Sequence, residues 1–203
     1  MNAPQIPASR IEFWFEFGSN YSYLSVMRIE AAAAERGVRI LWKPFLLGPI
    51  FKELGWDTSP FVLQKEKGAY AFKDMERQCR KYGLPWRQPG VFPRKSLLAM
   101  RVAMLGAEQP WMAEYSRRVM LLNFAEDRDI DSAANIGALL DGMGLPAAQL
   151  LQQAQEEDNK QRLRRQTAEA RARGVFGAPS FFVGDELFWG NDRLDDALEF
   201  AAP

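Results

Sequence analysis

The strand signals of this 203-residue chain sit at its two ends, with a long block of helix signals between them. Residues 11–17, IEFWFEF, alternate and are rich in aromatics, which predicts a strand. Residues 21–36 place Leu24, Met27, Ala31 and Ala34 on one helical face and stop at Gly37. Residues 38–43, VRILWK, predict a second strand closed by Pro44. Strand, helix and strand within about thirty residues make a βαβ unit, whose two strands run parallel. From Pro44 to Gly174 the spacing predicts helices over 66–82, 94–106, 110–125, 132–143, 147–156 and 158–173. In the fourth, Ile136, Leu139, Leu140 and Met143 share a face, Asp131 or Ser132 caps it and Gly144 ends it. Strand signal returns in SFFVG (180–184) and ELFWG (186–190), which Gly184-Asp185 joins as a hairpin. Residues 191–201 predict a closing helix with Asn191 or Asp192 at its N-cap.

An N-terminal βαβ and a C-terminal ββα together are similar to the thioredoxin-like layout. The expected class is therefore α/β: a thioredoxin-like domain with a large all-helical insertion. Residues 1–45 and 174–203 would form the discontinuous thioredoxin-like domain, and 46–173 the inserted helices. A chain of this length builds one such domain with a sizeable core. No Pro/Ser-rich linker, repeat or low-complexity segment interrupts it.

Composition removes several kinds of chemistry. Lys+Arg and Asp+Glu balance at 26 each, so no global field holds a nucleic acid backbone or an anionic membrane. Neither is expected as a partner. Histidine is absent, which removes Ser-His-Asp and Cys-His machinery and imidazole metal ligands. Cys79 is the only cysteine, so no intrachain disulfide and no cysteine-built zinc site can form; its helical context reads as a packed thiol. The acidic run AEDRDID (126–132) reads as a helix end and a cap rather than a metal site, and no metal is expected. MNAPQIPASR at the N-terminus has no apolar h-region, and no run of 18 apolar residues occurs; a cytoplasmic protein is expected.

Three turns could carry chemistry. Ser19-Asn20-Tyr21-Ser22 lies at the first strand-helix junction, where redox proteins of the thioredoxin type carry Cys-x-x-Cys. The free N–H groups and dipole of a helix start favour an anion such as a thiolate, and a serine hydroxyl can donate to it. On the turn alone, the favoured reading of Ser19 and Ser22 is as cap residues. In GVFGAPSFFVG (174–184), Pro179 opens a strand; a cis bond there would turn the Ala178 backbone toward an extended peptide, and a trans bond would merely open the strand. In ELFWGNDRL (186–194), the helix start after Trp189 and Gly190 suits a carboxylate and Asp192 suits an ammonium, although a plain capping turn reads the same.

Taken in order, FEFGSNYSYLS, KPFLLGPIF, NFAEDRDI, FGAPSFFVG and FWGNDRL resemble the 2-hydroxychromene-2-carboxylate isomerases, relatives of the kappa-class glutathione transferases, over nearly the whole chain. The resemblance implies reduced glutathione as cofactor. It implies that Ser19 meets the sulfur, that Ala178 before Pro179 pairs with the tripeptide backbone, and that Trp189, Gly190, Asn191 and Asp192 hold the γ-glutamyl end. It implies a homodimer and a small aromatic substrate lying between the domains. Trp56, Trp86 and Phe92 are the expected apolar walls of that pocket, and Lys52 or Arg94 the expected partner of a substrate carboxylate. Asn20 stands where many relatives carry proline, and Lys95 where many carry asparagine. The expected reaction is isomerisation of a 2-hydroxychromene-2-carboxylate-type substrate by reversible thiolate addition. A transferase that leaves the conjugate attached is the alternative; a glutathione-binding module without catalysis is another. Ser19 and Ser22 argue against a disulfide oxidoreductase.

Overall fold

The structure is a computed structural model that describes residues 9–202. The leader expectation concerns a stretch whose first eight residues lie outside the described ones, as does Pro203. The elements in chain order are β1 (Arg10–Phe15), α1 (Asn20–Glu35), β2 (Arg39–Pro44), α2 (Leu47–Glu53), α3 (Pro60–Leu63), α4 (Lys65–Tyr82), α5 (Leu97–Gly106), α6 (Met112–Phe124), α7 (Ala133–Asp141), α8 (Ala147–Ala154), α9 (Glu157–Ala172), β3 (Ser180–Val183), β4 (Glu186–Trp189) and α10 (Leu194–Ala201). A short 3₁₀ turn, Asn191–Arg193, leads into α10.

The sheet has the order β2-β1-β3-β4. β1 runs parallel to β2, with Phe13 opposite Trp42, and antiparallel to β3, with Phe13 opposite Phe181. β3 and β4 form the expected hairpin. The alternation of β1 sorts its side chains onto two faces. Ile11, Phe13 and Phe15 point into the larger core, where Phe13 stacks on Phe181 at 5.3 Å. Trp14 points to the other face, into a smaller core with Phe45, Leu47, Ile50, Ala170, Val175 and Phe182. Thus β1 is buried on both faces, which suits its run of aromatics. The larger core is continuous: Met75, Met100, Tyr115 and Phe124 of the helical block pack in it with Phe13, Phe15 and Phe17.

The helices α2 and α3 have no counterpart in the sequence reading. α2 carries Gly48 and Pro49 in its first turn, which resemble loop residues; proline is tolerated there because the first N–H groups have no helical partner. α3 is a single turn, started by Pro60 and capped by Ser59, too short to show a period. It packs on α4 at Gly68. A Cβ at Gly68 would lie 2.0 Å from the carbonyl oxygen of Phe61. Gly68→Ala is therefore expected to push α3 off α4 and to destabilise the fold by about 1–3 kcal/mol, read by urea denaturation.

Candidate functional site

A cleft of about 2000 Å³ opens between the strand-helix turns of the sheet and the helical block. Ser19, Ala178 and Asp192 border it from the sheet side, and Lys67, Asp74 and Arg94 from the helical side.

Ser19 ends the turn after β1. Its hydroxyl accepts from the Ser22 N–H at 3.2 Å, which caps α1, and donates to the Ala178 carbonyl at 2.9 Å. One buried hydroxyl thus serves as cap and as link to the loop before β3. The Ala178-Pro179 peptide is cis. The Pro179 carbonyl accepts from the Gly190 N–H at 2.9 Å, which joins this loop to the end of β4. Beside Ser19, Asn20 is 2% exposed and borders the cleft. Its Oδ1 accepts from the Tyr21 N–H at 3.1 Å, while its Nδ2 has no hydrogen-bond partner among the described residues. A buried donor without an acceptor favours an acceptor supplied from outside.

The third turn divides its labour. Asn191 Oδ1 accepts from Ser25 Oγ at 3.1 Å and from Arg28 Nη1 at 3.2 Å, so this side chain ties the 3₁₀ turn to α1. The Asp192 carboxylate is exposed and, among the described residues, pairs with the neighbouring Arg193 at 3.1 Å. Gly190 has φ +106°, in the region that favours glycine. Trp189 is half exposed, leans on Phe176 at 4.7 Å and covers Gly177, where a Cβ would lie 2.4 Å from its Nε1.

The expected substrate pocket is only partly assembled. Trp56, Phe92 and Arg94 border the cleft; Lys52 and Trp86 do not. Trp86 stacks on Phe124 at 5.8 Å and 13°, because aromatic area at this point is buried against the core. Lys52 lies on the exposed side of α2, whose opposite side buries Leu47 and Ile50 on the smaller core. Arg94 reaches the cleft with its charge already engaged. Its Nε donates to Asn123 at 3.1 Å, and its Nη2 pairs with Asp127. Asp127 has φ +56° and also accepts from the Gly90 N–H at 2.9 Å. Asn123 in turn donates to the Phe17 carbonyl at 3.0 Å, which stitches α6 to the β1–α1 turn.

Several cleft residues escaped the sequence reading. Lys67, Tyr70, Asp74, Gln78 and Lys81 recur at helical spacing along one face of α4. That period was legible, but nothing in the sequence said which face met the site. Tyr21 donates to Asp74 Oδ2 at 2.9 Å and Gln78 to Oδ1 at 3.3 Å. Burial, then the Asp74 contact, hold the Tyr21 hydroxyl well above its ordinary pKa. Cys79, 1% exposed, lies off the cleft, and burial pushes its thiol up to about 12. The sulfur of this chain is thus unsuited to exchange.

Glu16 is the remaining member. It borders the cleft, yet is 8% exposed. Its Oε1 accepts from Ser96 Oγ, and the adjacent Gly18 backbone also favours its charged form. Burial raises its pKa and outweighs both, which act the other way.

These features define a class before any relative is considered: a thioredoxin-type site in which a serine occupies the redox turn. The chain belongs to the family of DSBA-like thioredoxin domains, whose pattern matches residues 10–200. It is 30% identical to a 2-hydroxychromene-2-carboxylate isomerase of Sphingobium xenophagum, over 91% of this chain and 94% of that one. It is 27% identical to the glutathione S-transferase kappa 1 of Rattus norvegicus, over 93% and 89% of the two chains. A solved 2-hydroxychromene-2-carboxylate isomerase superposes with a TM-score of 0.85 at 26% identity, over 95% of this chain and 93% of that one. The α/β class with a helical insertion, and membership of an isomerase and glutathione transferase group of enzymes, are thereby established. Among the described residues no helix is long and apolar enough to cross a membrane.

A carboxyl whose pKa is raised in the folded state favours folding while it is protonated in both states. That advantage is lost as pH rises from the unfolded value, about 4.3, through the raised one. Wild-type stability relative to Glu16→Gln is therefore expected to fall with pH from about 4.3 upward and to level off above the folded pKa, as read by urea melts across pH.

Proposed function

We propose that this chain is a glutathione-dependent isomerase that converts 2-hydroxychromene-2-carboxylate-type substrates to trans-o-hydroxybenzylidenepyruvate-type products. The observation that carries the reading is the Ser19 hydroxyl, placed at the head of α1 and bonded to the Ala178 carbonyl. The unpartnered amide of buried Asn20 beside it fits an anionic sulfur. When bound, glutathione would supply a thiolate that adds reversibly to a conjugated carbon of the substrate.

The protein's part is to hold and ionise the thiol. A free thiol has a pKa of about 8.5, and lowering it by about two units requires ~2.7 kcal/mol of preference for the thiolate. A hydroxyl bond to a charged acceptor supplies about 1.5–3 kcal/mol, and a helix N-terminus about 0.3–1, or up to ~2 when partly buried. Ser19 and α1 together reach that sum without a histidine. The Ser19 proton rests on the Ala178 carbonyl, the same carbonyl that an extended peptide would use. Turning that proton to a sulfur frees the carbonyl for a ligand N–H, so the two contacts exchange without leaving a buried group unpaired. Trp189, Gly190, Asn191 and Asp192 would hold the γ-glutamyl end, with the Asp192 carboxylate toward the ammonium. Lys67 on the facing wall supplies a cation for the glycyl carboxylate. Trp56 and Phe92 offer flat walls to an aromatic substrate. The free, buried Cys79 suits a reducing, cytoplasmic setting, and a homodimer completes the reading.

Similarity to a kappa-class transferase keeps conjugation of an aromatic or enone electrophile as the second reading. Product analysis separates the two, since isomerisation regenerates glutathione and conjugation consumes it.

Ser19→Ala is expected to raise the pKa of bound glutathione by about 1–2 units, the equivalent of one charge-assisted hydroxyl bond. Ultraviolet thiolate titration of the complex checks this. An unchanged value removes Ser19 from thiol activation.

A further inference from the structure

The cleft holds one buried ionisable group that thiol activation leaves without a task. We propose that Glu16 is the acid–base group of this site, giving its carboxyl proton to the carbonyl oxygen of a bound conjugated keto acid and taking it back within one turnover. The proposal rests on the glutathione reading above and concerns the second half of the chemistry, the substrate's own charge.

Placement comes first. Glu16 follows the last residue of β1, and its carbonyl accepts from the Ser19 N–H at 3.1 Å, so the turn fixes the two residues relative to each other. Both border the same cleft. Gly18 leaves the carboxyl its room, because a Cβ there would lie 3.0 Å from Glu16 Oε2 and from the Arg94 carbonyl. Ser96 stands at the N-cap position of α5 and does not cap it. Its hydroxyl goes to Glu16 instead, and Asp131 caps Leu98 in its stead at 2.6 Å. A serine at an N-cap normally bonds its own helix. Here the carboxyl takes that bond.

Elimination among the neighbours points the same way. The charged groups beside Glu16 in the cleft lining are Arg94, Lys95 and Asp131, and Asp127 pairs with Arg94 from outside the lining. Arg94 and Asp127 neutralise each other, Asp131 is a cap, and Lys95 is exposed at the rim. Across the cleft Asp74 is engaged by Tyr21 and Gln78. The chain has no histidine, and Cys79 is remote from the cleft.

The environment suits a carboxyl that ionises only in passing. Burial favours its neutral form, the form that can donate. The Ser96 hydroxyl holds its charge when the proton leaves, and the Gly18 backbone favours that charge too. The step balances. One carbon–sulfur bond forms as one carbon–carbon π bond is lost, and the displaced pair shifts along the conjugated system to the keto oxygen, which takes the Glu16 proton and becomes an enol. The former double bond, now single, rotates. The Glu16 carboxylate then removes the enol proton, the π bond re-forms and the carbon–sulfur bond breaks. No proton or electron is gained or lost overall.

The test compares wild type, Glu16→Gln, Glu16→Asp and Ser96→Ala, each as the full chain, with glutathione and 2-hydroxychromene-2-carboxylate. Wild type at neutral pH is expected to show the infrared band of a protonated buried carboxyl, absent in Glu16→Gln. Glutathione affinity by calorimetry is expected to stay within about threefold in Glu16→Gln, while kcat falls about 10²–10⁴-fold with KM little changed. Glu16→Asp is expected to recover part of the loss. Glutathione bound normally with wild-type kcat in Glu16→Gln overturns the proposal and leaves the glutathione reading standing. So does an ionised Glu16 in wild type. Failure of wild type to bind glutathione overturns both. Should Glu16→Gln not fold, Ser96→Ala decides: a fall in kcat of about tenfold at unchanged glutathione affinity is expected, and an unchanged kcat overturns the role.

Discussion

The bond from Ser19 Oγ to the Ala178 carbonyl joins residues 159 positions apart, and the geometry of the cleft follows from it. It exists because β1 is central in the sheet, with the parallel partner β2 on one side and the antiparallel β3 on the other. Strand pairing of the chain's first segment with its last therefore brings two turns together that neither end could build alone. The aromatic stack of Phe13 on Phe181 lies in the same register and anchors it. The cap of α1, the cis loop before β3 and the end of β4 thus form one rigid corner, linked in series by Ser19, Ala178, Pro179 and Gly190.

The helical block is bound to this corner by both apolar and polar means. Its buried side chains enter the larger core together with those of β1. Asn123 fastens α6 to the Phe17 carbonyl, and Arg94 continues the line through Asn123 to Asp127. A cation that looks like a substrate partner in the sequence is in this way an internal strut. Removing one member of such a partly buried pair leaves the other uncompensated, so its value lies in fixing the loop that carries Ser96 and not in free charge for a ligand.

The sequence carried the periodic elements well, because alternation in β1 and the 3.6-residue spacing of α1, α4 and α7 report burial directly. It failed where burial and period part company. α2 hid behind Gly48 and Pro49, and α3 is a single turn. Trp86 and Phe92 are alike in sequence as aromatics before a helix; only packing sends one to Phe124 and the other to the cleft. Glu12 and Glu16 share one phase of IEFWFEF, so alternation gives both to solvent. In the fold Glu12 does meet Arg173 near the surface, whereas Glu16 lies past the strand's last residue, where the chain turns inward. No local rule distinguishes them. The three turns, by contrast, were legible from their order along the chain.

A site that would gather an anionic sulfur beside a buried carboxyl faces a constraint of its own. Two like charges close together at low dielectric repel strongly, so only one can stay ionised. The donors here are unequally shared. Ser19, Asn20 and the head of α1 would serve the proposed sulfur position, while Glu16 has Ser96 and the Gly18 backbone and a desolvation cost that outweighs them. On the proposed reading, the resting state would be a thiolate beside a neutral acid. Addition would use up the charge on sulfur and make the substrate's oxygen basic, and proton transfer to that oxygen would then leave the charge on Glu16. The two groups then take turns as anions, which is how acid–base work can proceed in a chain that has no histidine.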